Sequence, residues 1–174
     1  LVLASRGGAL ASGAATEWAQ LSASGAAVTI SRCDVGEPLD ARRLLGAAWG
    51  AAGASPLEGV WHAAGVLADG LLARQSAATL RHVYGPKAHA AWLVRRGCAA
   101  VPLRACALFS SVAALLGGAG QANYAAANSC LDALAAARRR AGAAGVSVQW
   151  GPWAEVGMAA GSGVSARWQA SGWG

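Results

Sequence analysis

The sequence predicts an α/β fold built on a parallel sheet, and two patterns support this. Short apolar runs alternate with longer helical stretches along the chain, which is typical of βαβ units. Small or polar residues follow each apolar run, as expected where parallel strands end beside a ligand. A length of 174 residues suits about one domain, and a 55% hydrophobic, 13% charged composition is ample for a core.

The first half of the chain alternates strand and helix patterns in order. Residues 1–5 read as a strand, and residues 14–24 as a helix. The run AVTISRC at 27–33 predicts a second strand, which a helix over 38–52 follows. The run GVWHAA at 59–64 predicts the third strand.

The second half continues the alternation. A helix is predicted over 77–96, a strand over 104–111, a long helix over 121–141 and a fifth strand over 146–150. The remainder is rich in Gly, Ser and Trp and reads as a loop, so we expect one domain over 1–158 and a flexible lid or tail over 159–174. The five strand ends predict an elongated cleft at one edge of the sheet, of a shape suited to a dinucleotide.

Composition disfavours several classes of function. The net charge of +6 comes from scattered arginines apart from the run 138–140, and few aromatic residues accompany them, so nucleic-acid binding is disfavoured. No uninterrupted apolar run is long enough to span a membrane. The four cysteines form no CxxC pair and have no histidine at ligand spacing, which predicts free thiols and no metal site. Free thiols suit a reducing compartment, and we expect a cytoplasmic location, with a plastid or other compartment left open.

Four polar residues stand at spacings that suggest one catalytic group. Ser111 ends the fourth predicted strand, and Tyr124 and Asn128 lie four residues apart on one helix face. Lys87 is the single lysine in a chain with thirteen arginines, which suggests a task that a guanidinium cannot perform. Ser, Tyr and Lys together can protonate a carbonyl oxygen while hydride reaches its carbon. Taken singly, Tyr124 could be a surface tyrosine and Ser111 an ordinary strand end.

The motifs SRGG, CDV, HAAGVL, GPK, FSS, GQANYAAAN and WGPW resemble, in order and spacing, the ketoreductase domain of modular polyketide synthases. The animal fatty acid synthase domain is a close relative, and both belong to the short-chain dehydrogenase/reductase superfamily. Most of that superfamily has Lys four residues after the Tyr. Asn128 holds that place here and Lys87 lies upstream, as in the ketoreductase branch.

The resemblance implies a role for each member of the group. Tyr124 is expected to donate the proton, Lys87 to stabilise the phenolate and bind the nicotinamide ribose, Ser111 to hydrogen-bond the carbonyl oxygen, and Asn128 to hold the relay in place. The implied activity is NADPH-dependent reduction of a 3-ketoacyl thioester to a 3-hydroxyacyl thioester. The implied partners are an acyl carrier protein and other synthase domains, with neither nucleic acid nor membrane.

The resemblance also implies a cofactor-binding set. Arg6 is expected to bind the 2′-phosphate of NADPH, and the alternative is a solvated surface charge. Asp34 with Val35 would meet the adenine, and a turn or helix-capping aspartate is the alternative. The full set is Ser5, Arg6, Asp34, Val35, Ala63, Ala64, Gly65, Lys87, Tyr124 and Pro152. His62, just before the small residues, is expected to be a packed histidine rather than an acid or base.

Asp69 and Gln121 are the expected substrate and stereocontrol residues. The resemblance implies two stereochemical classes of ketoreductase. One class has a Leu-Asp-Asp motif, whose last Asp is matched by Asp69 and whose middle position is Ala68 here. The other class commonly has a Trp eight residues before the Tyr, where this chain has Leu116. Both points favour the class that gives a D-configured 3-hydroxy product. A solvated loop position for Asp69 is the alternative.

One expected feature is missing from the sequence. No GxGxxG loop follows a strand, so we expect a Rossmann-like, doubly wound, three-layer α/β/α fold that lacks its first βα unit, with Val2 and Val60 flanking the gap. The chain is therefore expected to be a fragment that does not bind NADPH alone. A non-catalytic remnant of a synthase is the alternative, and a sugar-nucleotide epimerase is disfavoured because those enzymes usually keep Lys four residues after Tyr.

Overall fold

A computed structural model describes residues 1–11, 13–51 and 57–151. Its strands are all parallel and form two sheets, one of β1 and β2 and one in the order β3-β4-β5. The chain divides into two compact units, the first made of Leu1–Leu57 and Trp92–Val101 and the second of Glu58–Ala91 and the residues from Pro102 onward. No ladder joins the two sheets in the described ranges.

The first unit pairs two short strands and carries two helices. Its elements are β1 (Val2–Ser5), α1 (Ala15–Ala23), β2 (Thr29–Arg32) and α2 (Pro38–Ala51). Gly8 makes the turn after β1 at a φ of +64°, and a Cβ there would lie 2.6 Å from the Cβ of Arg32. The turn that exposes the end of β1 therefore requires glycine.

The second unit surrounds the long strand β4 with helices. Its elements are β3 (Gly59–His62), a 3-10 turn (Leu72–Arg74), α3 (Ala77–Tyr84), a π-helical turn (Gly85–His89), the start of α4 (Ala90–Gly97), β4 (Ala105–Ser111), α5 (Ala113–Leu116), α6 (Ala122–Arg140) and β5 (Val146–Trp150). Helix α3 begins at a capping box, in which Ser76 and Thr79 each accept a backbone N–H from the other, at 2.8 and 3.2 Å.

Helix α6 packs on the sheet through a narrow stripe. Ala127, Leu131 and Ala135 follow one another at four-residue spacing and are fully buried. Asp132 ties the helix to β5, because its carboxylate accepts hydrogen bonds from Ser147 (2.6 Å) and Gln149 (2.8 Å). Ala127 and Ala135 are small, so helix and sheet approach closely and hold the N-terminal turn of α6 near the end of β4.

The predicted elements agree closely with the observed ones. All five strands and four helices occur at the expected places, although the third strand ends at His62, two residues earlier than predicted. The helix predicted over 77–96 is three consecutive segments, because a π turn separates α3 from α4. Helix α5 and the 3-10 turn have no counterpart among the predictions. The predicted tail over 159–174 lies outside the described residues.

Candidate active site

Lys87 is buried in the π-helical turn and directed at the central strand. Its side chain is 2% exposed, and its Nζ donates a hydrogen bond to the backbone oxygen of Phe109 in β4, at 3.1 Å. Burial lowers the pKa of this ammonium from 10.5 to about 8. The group is therefore largely a cation at neutral pH, and its environment eases loss of the proton.

Tyr124 lies in the first turn of α6, against this cation. The Nζ of Lys87 is 5.4 Å from the centroid of the Tyr124 ring. Burial raises the pKa of the phenol above 10, and the charge of Asp69 adds to this, while hydrogen bonds from Asn128 and Ser111 act in the opposite direction. The phenol is consequently protonated at neutral pH, beside groups that stabilise its anion.

Ser111 is the last residue of β4, and its hydroxyl is on the Tyr124 side. Its Oγ accepts the backbone N–H of Ala113 at 3.2 Å, which begins the turn into α5, and it also bonds to the Tyr124 phenol. The preceding Ser110 is buried and donates instead to the backbone oxygen of Asn128, at 3.3 Å. Alternation along the strand thus directs one serine to the phenol and the other to the helix backbone.

Asn128 is fully buried one turn after Tyr124. Its Nδ2 donates to the backbone oxygen of Tyr124 at 2.8 Å. Its Oδ1 has no hydrogen-bond partner in the described part of the chain. An orphaned buried acceptor is costly, which favours a bound group at this position.

A loop before the 3-10 turn is tied to the start of α6. Gln121 donates to both carboxylate oxygens of Asp69 (3.4 and 3.3 Å), and the Gly70 N–H donates to the Gly120 oxygen at 2.8 Å. Asn123, which sequence analysis missed, is 1% exposed; it donates to the Ala68 oxygen (2.8 Å) and accepts the Tyr124 N–H (2.7 Å). The position of Asn123 directly before Tyr124 is the only feature of the sequence that points to this role. Asp69 is therefore bonded to Gln121 rather than only solvated.

The small residues Ala63, Ala64 and Gly65 follow β3 directly, at the carboxyl end of that strand. His62, the last residue of β3, is 5% exposed, and its Nε2 is 2.8 Å from the backbone oxygen of Lys87. It is thus packed and hydrogen-bonded, as expected. The second unit brings together Lys87, Ser111, Tyr124 and Asn128 from one π turn, one strand and one helix.

Four further predicted cofactor residues, Ser5, Arg6, Asp34 and Val35, lie in the first unit, which is described by itself. Ser5 ends β1 and its Oγ accepts the N–H of Gly8 at 3.1 Å, while Arg6 follows it and is exposed. Asp34 and Val35 come after β2, and the Oδ1 of Asp34 accepts the N–H of Gly36 at 3.0 Å. The Asp34 side chain therefore stabilises the turn that follows β2. Pro152 lies outside the described residues.

Among the described residues, no group of His, Cys, Asp and Glu could hold a metal ion, and all four cysteines are free thiols. None of the described helices is long and apolar enough to cross a membrane.

Comparison with known proteins shows the family. The model of the KR domain family matches residues 1–155. The chain belongs to the ketoreductase (KR) domain family. The chain has the Rossmann-like fold of the short-chain dehydrogenases. A short-chain dehydrogenase from Mycobacterium avium shares that fold, with a TM-score of 0.71 over 86% of this chain and 59% of its own, at 21% identity.

The curated relatives of this ketoreductase domain are polyketide synthases. Polyketide synthase GfsB of Streptomyces halstedii is 45% identical over 99% of the chain, and the pikromycin synthase component PikAII of Streptomyces venezuelae is 45% identical over 90%. The chain spans only 3% and 4% of their lengths. An A-type ketoreductase from a modular polyketide synthase superposes with a TM-score of 0.86 at 43% identity, covering 96% of this chain and 35% of its own.

Proposed function

We propose that this ketoreductase domain supplies the catalytic residues for NADPH-dependent reduction of a 3-ketoacyl thioester, carried on an acyl carrier protein, to the 3-hydroxyacyl thioester. The proposal rests above all on the burial of Lys87 against the ring of Tyr124, beside Ser111 and Asn128. The family membership and the similarity to polyketide synthases agree with it.

The residues present fit a nicotinamide cofactor. Nζ of Lys87 makes one hydrogen bond to Phe109 and can offer further protons to a ribose hydroxyl, and the small residues after β3 admit a close ligand. In the first unit, taken by itself, Arg6 offers a positive charge at the end of β1 of the kind that binds a phosphate, and Asp34 with Val35 follows β2. Bound NADPH would supply hydride to the substrate carbon.

The chain's own residues perform the proton chemistry. Tyr124 transfers its phenolic proton to the carbonyl oxygen, and solvent later restores it. Ser111 hydrogen-bonds the same oxygen as negative charge develops there. Lys87 stabilises the resulting phenolate by its charge, and Asn128 holds the backbone of α6 at Tyr124.

Asp69 and Gln121 are proposed to orient the substrate, because they are joined to each other at the loop that leads to Tyr124. Substitution of Gln121 by Ala would release the loop and is expected to alter the ratio of the two 3-hydroxy products. Chiral separation of the product measures this ratio. An unchanged ratio would remove Gln121 from the stereocontrol set.

The decisive experiment is Tyr124→Phe in the full protein that carries this sequence. Loss of the proposed proton donor is expected to lower kcat by roughly 10²- to 10⁴-fold. The chain offers one matched control, Tyr84→Phe, because Tyr84 is the only other tyrosine and bonds to Cys130 rather than to Ser111 or Asn128. NADPH oxidation with a 3-ketoacyl thioester gives the rate. Full activity of Tyr124→Phe would refute the proton-donor assignment, and an inactive wild-type protein would favour the remnant.

A further inference from the structure

The backbone carbonyl of Lys87 lies in an irregular part of its helix. The π turn contains Pro86, which has no N–H to donate, and the Ala90 N–H is directed to the oxygens of both Gly85 and Lys87. A carbonyl oxygen has two lone pairs, so that of Lys87 can accept a second hydrogen bond. π turns occur frequently at functional sites.

His62 provides that second hydrogen bond from the neighbouring strand. Its Nε2 lies 2.8 Å from the Lys87 oxygen, and a carbonyl oxygen can only accept, so Nε2 carries the proton. The ring is 5% exposed, and burial, with a smaller contribution from the Lys87 charge, lowers its pKa below 6.5 although the hydrogen bond opposes this. The buried ring is therefore neutral, with its proton on Nε2 and none on Nδ1.

Lys87 is consequently held at both ends by adjacent parallel strands. Its backbone oxygen is bonded to His62 at the end of β3, and its Nζ is bonded to Phe109 in β4. Two anchors on rigid strands determine where the cation lies relative to the ring of Tyr124, 5.4 Å away.

We propose that His62 is a positioning residue for Lys87: its Nε2–H holds the carbonyl of the π turn and so places the ammonium group beside Tyr124. This inference rests on the proposed function, in which Lys87 assists proton donation. It differs from simple core packing, because a packing histidine would contribute to stability without acting through Lys87.

A double-mutant cycle in the full protein separates the two roles. His62→Leu fills similar space without a donor and is expected to lower kcat roughly tenfold, with KM little changed, because small displacements of a catalytic group cost rate. In a Lys87→Ala background the same substitution should leave kcat within about twofold, since its effect passes through the missing lysine. An equal loss in both backgrounds, or no loss in either, would overturn the inference.

Conservative variants provide a matched pair. The amide of glutamine extends to about the position of Nε2, whereas that of asparagine extends only to about that of Nδ1. His62→Gln is therefore expected to retain most of the wild-type kcat, and His62→Asn to behave like His62→Leu. This pair also tests the idea if the leucine variant fails to fold, and equal activity of the two amides would contradict it.

A second readout needs neither cofactor nor turnover. Lys87 is the only lysine of the chain and is 2% exposed, so one peptide in a mass spectrum reports its modification by an amine-reactive reagent. Release of the π turn in His62→Asn should accelerate labelling several-fold, and His62→Gln should restore protection. Identical labelling rates would overturn the inference.

If Lys87→Ala alone keeps the wild-type kcat, the role proposed for Lys87 fails and the inference fails with it. If the kcat losses of His62→Leu and Lys87→Ala are additive, only the inference about His62 is refuted.

Discussion

Replacement of Lys87 by Met tests how much the buried cation contributes to proton donation. Methionine fills nearly the same space without a charge. The distance of 5.4 Å from Nζ to the ring centroid corresponds to an attraction of about 3 kcal/mol for a phenolate at an effective dielectric constant of about 20. If the transition state carries most of that charge, the loss corresponds to about 150-fold in kcat.

The assay follows NADPH oxidation with a 3-ketoacyl thioester across pH, and fluorescence titration measures NADPH affinity separately. Because the pKa of Lys87 is about 8, wild-type kcat should fall as pH rises above 8 and the cation is lost. Lys87→Met should already be slow at pH 7 and should show no further fall near pH 8. The gap between the two proteins therefore closes at high pH.

Two results would refute this reasoning. A kcat for Lys87→Met within about threefold of wild type at pH 7 would show that the charge does not assist Tyr124. A loss confined to NADPH affinity, with kcat unchanged under saturating cofactor, would assign Lys87 to cofactor binding alone. Lys87→Arg retains the charge and indicates whether its exact placement matters.

Three further predictions follow from the same residues. Ser111→Ala should lower kcat about 10- to 100-fold. Ser110→Ala removes only a hydroxyl bonded to the helix backbone and should leave kcat nearly unchanged. Steady-state rates of the two variants measure this difference. Arg6→Glu should raise the KM for NADPH with little change for NADH, and an unchanged cofactor preference would contradict a phosphate role for Arg6. The free energy of unfolding should rise between pH 8 and 10.5. Lys87 binds its proton less tightly in the folded protein than in the unfolded chain, so burial of the charge is unfavourable below pH 8. The difference of 2.5 pKa units between the two states corresponds to about 3 kcal/mol. Thermal unfolding at several pH values measures this, and the rise should be absent in Lys87→Met.

Hydrophobic periodicity predicts much of the fold, because each strand and helix has its own pattern of apolar residues within a short segment of sequence. The run ending at Ser111 and the helix holding Tyr124 and Asn128 were placed within one residue of their observed bounds. The π turn was not, because a lone Pro86 in a helical pattern does not show that the Lys87 carbonyl accepts a second hydrogen bond from outside the helix. The donor of that bond, His62, lies 25 residues earlier in the chain.

The sequence by itself determined the residue types, their order and, through them, the family. An Asn four residues after a Tyr, with a single lysine upstream, is a pattern that can be recognised without a structure. Only the tertiary structure decided that Lys87 is buried, that its pKa is near 8, and that Ser111 rather than Ser110 meets the phenol. These properties arise from desolvation and from contacts between segments far apart in the chain. Spacing along the sequence cannot supply them, because burial and distance depend on how β3, β4 and α6 pack.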